Sequence, residues 1–220
     1  MTRERLAVVL QWLSLAGIVL LAWLVLRGWA GAQEPIAVVV EADALAGALE
    51  HELAVWERRD GSIVYVAHCR SAPGGCEARV RSIAVELVRA ARAHRVDPWL
   101  LAAMALRESG LNPEAVGAIG EVGVLQLHPR SAHGQRARAA CRRAPGRCGA
   151  AVIWIAAEHL AAVQAICGSE GAALGAYNRG ECGETTYSRR VLRRRDGLRR
   201  VARGDGPRSA APAVAEGSGS

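Results

Sequence analysis

Asp97-Pro98-Trp99-Leu100-Leu101-Ala102-Ala103-Met104-Ala105-Leu106-Arg107-Glu108-Ser109-Gly110 is the stretch on which the fold turns. Asp97 and Pro98 read as an N-cap followed by a first-turn proline. The residues after them are strong helix formers, and the run ends at Glu108-Ser109-Gly110. On such a helix Leu101, Met104, Ala105 and Glu108 share one face. Three apolar groups thus lead up to a single carboxylate. A carboxyl held against apolar surface is pushed toward its protonated form, which is the state a general acid needs near neutral pH.

Helical periodicity extends outward on both sides of this stretch. Ile83, Leu87, Val88 and Ala91 place a helix from Arg79 to about His94. Downstream, residues 150–166 are apolar nearly all round, which puts that helix at the centre of the fold. Residues 171–178 form another helix, and about 185–203 an amphipathic one carrying Tyr187, Val191, Leu192, Leu198 and Val201. Two further pieces carry possible chemistry. Gly117, Gly120 and Gly123 fall within seven residues and let the backbone approach a ligand closely, and Gln126 follows with amide groups suited to a sugar hydroxyl or N-acetyl group. Gly-Lys-Ser/Thr is absent, so this is no phosphate-binding loop. Ala176-Tyr177-Asn178 is the second piece, in which Tyr177 could hydrogen-bond a carboxyl and orient it.

At 220 residues and 51% hydrophobic, the chain can bury a core, built from Leu, Val, Ile and Ala because it has no Phe. Arg3 and Arg5 precede an apolar run over 6–26, and Ala30-Gly31-Ala32 offers a cleavage site before Gln33. Residues 1–32 are therefore either a signal peptide cleaved after Ala32 or a retained inner-membrane anchor. Residues 33–78 follow as an exported segment, with helical character from Asp43 to Arg59, an Asp60-Gly61 turn and a short strand over 62–67. Residues 79–203 form the main domain, and 204–220 a disordered tail of Gly, Ser, Ala and Pro.

Six cysteines lie in the exported part, and export favours disulfides. Cys69-Arg-Ser-Ala-Pro-Gly-Gly-Cys76 and Cys141-Arg-Arg-Ala-Pro-Gly-Arg-Cys148 are near-copies whose Pro-Gly centres favour tight turns. The expected pairs are Cys69–Cys76, Cys141–Cys148 and Cys167–Cys182. This spacing fits zinc poorly, and neither a metal site nor a cofactor is expected. The net charge is +7, and all 28 basic residues are Arg. Eight of them fall between Arg189 and Arg203, either a basic face for an anionic polymer or membrane surface or a solvated, charged helix. No nucleic-acid motif accompanies the charge, so nucleic acid is not an expected partner.

The order Glu108-Ser109, Gly120-Glu121-Val122-Gly123-Val124-Leu125-Gln126, Ala176-Tyr177-Asn178 resembles the lytic transglycosylases of the soluble-transglycosylase type, with a goose-type-lysozyme-like domain. The likeness runs from about Val96 to Leu192. Asp97-Pro98-Trp99-Leu100-Leu101, Asn112-Pro113, Pro129 and Tyr187 with Val191-Leu192 also fit it. The resemblance implies a mainly α, lysozyme-like domain acting on peptidoglycan in the periplasm or cell envelope, with no cofactor. Glu108 is then the acid/base that cleaves the bond between N-acetylmuramic acid and N-acetylglucosamine and closes a 1,6-anhydro ring, assisted by the substrate's N-acetyl group. Ser109, Gly120, Gly123, Gln126, Tyr177 and Asn178 are its implied substrate-binding residues. Such an enzyme needs no partner carboxylate, unlike an ordinary glycosidase, and Glu114, Glu121 and Glu184 read as solvated.

The chain departs from the pattern in three places. Gly117 stands where relatives have a substrate-contacting Ser, Leu125 replaces a common Met, and His128 takes the place of an apolar cleft residue. A hydrolytic muramidase of the same fold and a catalytically idle wall-binding scaffold are the competing readings.

Overall fold

The computed structural model describes residues 36–205. The leader or anchor expected at 1–32, its apolar run 6–26, the cleavage point after Ala32 and the tail from 206 onward lie outside the described residues. The chain divides into two units, Met1–Val40 and Glu41–Ser220. Of the first, residues 36–40 are described, and they are helical.

The second unit is mainly helical with one small sheet, as expected. Its elements are α1 (41–53), β1 (Ala54–Glu57), β2 (Ile63–Tyr65), α2 (Ala67–Arg70), α3 (Gly75–His94), α4 (Pro98–Ser109), α5 (Ala132–Arg143), a 3-10 turn at Pro145–Arg147, α6 (Cys148–Cys167), α7 (Glu170–Arg179) and α8 (Thr186–Ala202). On α1, Leu45, Leu49 and Leu53 are buried, as their helical spacing requires. The expected continuation of this helix to Arg59 is wrong. Residues 54–57 are a strand, antiparallel to β2 with Trp56 opposite Val64 and Glu57 opposite Ile63. The Asp60-Gly61 turn reverses the chain, and Asp60 Oδ1 accepts from the Ser62 amide (2.9 Å) and hydroxyl (2.7 Å). That turn brings Val55-Trp56 against Ile63-Val64-Tyr65, and β-branched and aromatic residues prefer the paired strand to another helical turn. Helix α3 begins four residues before Arg79, at Gly75. Helices α2 and α5 were not expected. The first is one turn long, and the second buries only Gly134 and Ala137, too narrow a face to read from its sequence.

Helix α4 is the pillar. Asp97 caps it by accepting from the Trp99 amide at 3.0 Å, and Gly110 ends it in the left-handed region at φ 62°. Every residue from Leu100 to Leu106 is buried. It packs on α3 and α8, α6 packs on α3, α5 and α7, and α7 meets α8, so the helices close around it. Asp97 does a second task. Its Oδ2 lies 2.7 Å from Arg199 and 3.9 Å from Arg195, fastening the start of α4 to α8. Gly175 lets α7 touch the loop before α8, since a Cβ there would run into the Gly183 carbonyl.

All three expected disulfides form: Cys69–Cys76 joins α2 to α3, Cys141–Cys148 joins α5 to α6, and Cys167–Cys182 ties the end of α6 to the loop after α7. The last closes the longest loop, worth about 3 kcal/mol in chain entropy.

Candidate active site

Glu108 occupies the last turn of α4, where the helix leaves the core and opens into a cleft of about 880 Å³. Burial is the main reason its carboxyl titrates above the usual range. The Tyr187 hydrogen bond and the Arg107 charge pull the other way, and the Glu121 charge adds to the rise. Tyr187, in the first turn of α8, donates its hydroxyl to Glu108 Oε1 at 2.5 Å. Its own titration is pushed far up by burial and by the facing carboxylate, so it remains a donor. The α8 N-terminus that presents Tyr187 is held by a capping box between Thr185 and Ser188.

The loop from Asn112 to Leu127 forms one wall of the cleft. Val122 bridges to both Val116 and Leu127, folding the segment back on itself. Gly120 (φ 93°) and Gly123 (φ 73°) supply the left-handed turns this needs. Neither lines the cleft, and a Cβ at Gly123 would press on Val152 at 3.2 Å. Gln126 lines the cleft, but its amide nitrogen is engaged inward, donating to the carbonyls of Ala115 (3.1 Å) and Gly123 (2.8 Å). Those bonds hold Gln126 at φ 43°, a conformation that costs a non-glycine residue on the order of 1 kcal/mol. Its Oε1 faces the space beside Gly117. A Cβ at Gly117 would lie 2.7 Å from that oxygen and would overlap the Glu121 carboxylate. Glycine at 117 therefore makes room for Glu121.

Other expected residues fall on both sides of the cleft boundary. Ser109 does not line it. Its hydroxyl donates to the Val124 carbonyl at 2.9 Å and accepts from the Asn112 amide at 3.0 Å, pinning the loop to α4. Tyr177 lines the cleft but does not orient the acid, because its hydroxyl donates to the Leu125 carbonyl at 3.0 Å. Asn178 is exposed at the cleft edge. His128 is an exposed lining residue whose Nδ1 accepts from the Arg130 amide. Glu114 and Glu184 are exposed, as expected. Glu121 is not the solvated side chain expected. It is half-buried in the cleft, where its carboxylate accepts from the Ile119 amide at 3.1 Å.

Three residues of the site were missed as chemical groups by the sequence reading: Tyr187, Glu121 and His159. His159 on α6 also lines the cleft, stacked on His133 (centroids 4.3 Å apart) and tilted against Tyr177 (5.0 Å). Burial, with repulsion from His133, pushes its pKa down to about 4, so it is a neutral ring near neutral pH. A histidine on a largely apolar helix was its one sequence signal. Among the described residues, no three His, Cys, Asp or Glu side chains converge as metal ligands would.

The cleft thus sets a carboxyl biased toward protonation, and oriented by a phenol, in a lining shared with a polar loop and the rings of His159 and Tyr177. Such a group can give a proton to a leaving oxygen. Residues 87–196, half of the chain, match the family model described as Transglycosylase SLT domain. No curated protein matches the chain.

Proposed function

The chain belongs to the transglycosylase SLT family, and on that premise we propose that it is a peptidoglycan lytic transglycosylase with Glu108 as its single acid/base. The observation that carries this reading is the Glu108 carboxyl itself, raised by burial and held by Tyr187 inside an open cleft. In the first step Glu108 gives its proton to the oxygen bridging N-acetylmuramic acid and N-acetylglucosamine, and that bond breaks. The carboxylate then takes the proton of the muramoyl C6 hydroxyl as its oxygen bonds to C1. The 1,6-anhydro ring closes, the acid is regenerated, and no water is consumed. Gln126 and Ser109 act by fixing the loop, while Tyr177, Asn178 and Glu121 line the cleft.

Peptidoglycan lies in the cell envelope, and three disulfides suit an oxidising, exported location. Residues 6–26 would bring the protein to the inner membrane, either until cleavage after Ala32 or permanently.

One observation favours a second reading. Glu121 shares the cleft with Glu108, and a second carboxylate is what a hydrolase uses to activate water or to stabilise the sugar cation. Mass spectrometry of the muropeptides released from purified sacculi separates the two, because the anhydro product lacks one water. Reducing ends would replace this mechanism with hydrolysis. Undiminished turnover by Glu108→Gln would remove Glu108 from either mechanism, and absent turnover by the wild type with binding retained would leave a wall-binding scaffold.

A further inference from the structure

The arginines of α8 are unequally matched with counter-charges. Arg195 pairs with Glu170, Asp196 and Asp97, Arg199 with Asp97, and Arg189 with Glu184. Arg190 and Arg193 make no side-chain hydrogen bond or ion pair with another described residue, and neither does Arg107 on α4. These three are not scattered. With Arg194, Glu52 and Gly197 they line one cavity of about 370 Å³. Among the described residues Glu52 pairs with Arg194 alone, at 3.7 Å. Gathering unpaired like charges in a concavity raises the local potential and favours an anion.

Gly197 is the second observation. It sits within α8, where glycine weakens a helix. It also lines the cavity, and a Cβ built there would enter open space, 3.8 Å from its nearest neighbour, Arg200 Nη2. A side chain at this position would fill part of the cavity.

The position fixes what the anion can be. Arg107 precedes Glu108 on α4, and Arg190 follows Tyr187 by one turn on α8, so the cavity and the cleft open on neighbouring faces of the same two helices. Among the described residues, no apolar side chain lines it to hold an acyl chain. With peptidoglycan as the substrate, a strand in the cleft carries peptides on its muramoyl residues, and those peptides bear free carboxylates. Guanidinium groups match carboxylates two-pronged. We propose that this cavity is a carboxylate site that binds the peptide attached to the glycan strand, so that the enzyme selects strands that still carry their peptides.

Two measurements on the full-length protein test this. The first titrates the tripeptide L-alanyl-γ-D-glutamyl-diaminopimelate by calorimetry into wild type, Arg190→Ala/Arg193→Ala and Arg142→Ala/Arg143→Ala, an exposed pair at the end of α5 that lines neither cavity. The expected result is binding by wild type and by Arg142→Ala/Arg143→Ala, and affinity at least about tenfold weaker for Arg190→Ala/Arg193→Ala, the size of one lost charge-assisted hydrogen bond. Equal loss in Arg142→Ala/Arg143→Ala would mean bulk charge and would overturn the site. The second compares cleavage of peptide-bearing strands with strands stripped by an amidase. The wild type should prefer the former about tenfold, and Arg190→Ala/Arg193→Ala should lose that preference. A preference that survives in that variant overturns the proposal. If neither substrate is cleaved, the glycan reading fails, while the tripeptide titration still decides the cavity. Flat tripeptide titrations, with phosphatidylglycerol vesicles bound by wild type and not by Arg190→Ala/Arg193→Ala, would overturn the assignment in favour of a lipid headgroup.

Discussion

Helices α4 and α6 are both apolar nearly all round, and each delivers one titratable side chain to the cleft, Glu108 and His159. Burial acts on both and moves them in opposite directions. The carboxyl is raised and the imidazole lowered, to about 4. The cause is the same, since a low-dielectric site disfavours the charged form whatever its sign. The results differ chemically, because the form of Glu108 that burial favours holds a proton to give, while neutral His159 is an uncharged surface. The helices also differ in depth. Leu100 to Leu106 of α4 are all buried, whereas α6 buries Val152, Ile153, Ala156, Ala157 and Leu160 and leaves Ile166 78% exposed. Hydrophobicity alone does not say how deeply a helix lies.

The largest effect should come from the carboxyl. Glu108→Gln keeps the shape and removes the transferable proton, so turnover of sacculi should fall about a thousandfold, within the range of general acid catalysis. Thermal unfolding should show the variant folded. Next comes the contrast in depth. Met104→Ala on α4 should cost about 3 kcal/mol in denaturant unfolding, and Ile166→Ala on α6 less than about 0.5 kcal/mol. Comparable costs would mean that α6 is covered on its outer face.

Tyr187→Phe should then lower the rate about tenfold, the scale of one lost hydrogen bond to a charged group. That bond pulls the Glu108 titration down, so without it the basic limb of the pH–rate profile should move up. A fall in rate with an unmoved limb would reduce Tyr187 to packing.

The smallest effect is on stability. His159 has a folded pKa below its unfolded value of about 6.5. Between about 6.5 and 4 the unfolded chain binds the extra proton, and stability declines as pH falls through that window. Discounted for its partial exposure, this is worth about 1 kcal/mol, or about 3 °C in Tm. His159→Gln should remove that slope. Glu108 tilts the other way. With its folded pKa raised, stability is full below the ordinary carboxylate range and is lost as pH rises through the folded value. A Tm series across pH for both variants should show the two opposite slopes disappearing separately.

Much of this was legible because it is local. The Asp97-Pro98 cap, the Gly110 stop and the two Cys-x6-Cys turns are set by neighbours within a few residues. The failures were local signals with a distant arbiter. The helical spacing of Leu45, Leu49 and Leu53 ran on plausibly to Trp56, until a strand nine residues later offered pairing. Tyr177 looked like the orienting phenol because it stands in a recognisable motif, yet its hydroxyl is taken by Leu125. Tyr187 read as part of an amphipathic face, and Glu121 as a solvated loop residue.

Sequence by itself determined the helical class, the acid at the end of an apolar stripe and the disulfide partners, because periodicity, capping and short loop closure act along the chain. Tertiary structure alone decided which phenol meets the acid. Tyr187 lies 79 residues from Glu108 and reaches it only because α8 packs on α4. The packing likewise decided that Glu121 fills the space beside Gly117, that His159 is stripped of its charge, and that Arg107 joins two unpaired arginines of α8 in one cavity. Burial and charge depend on what arrives from elsewhere in the chain, and no window of sequence contains both partners.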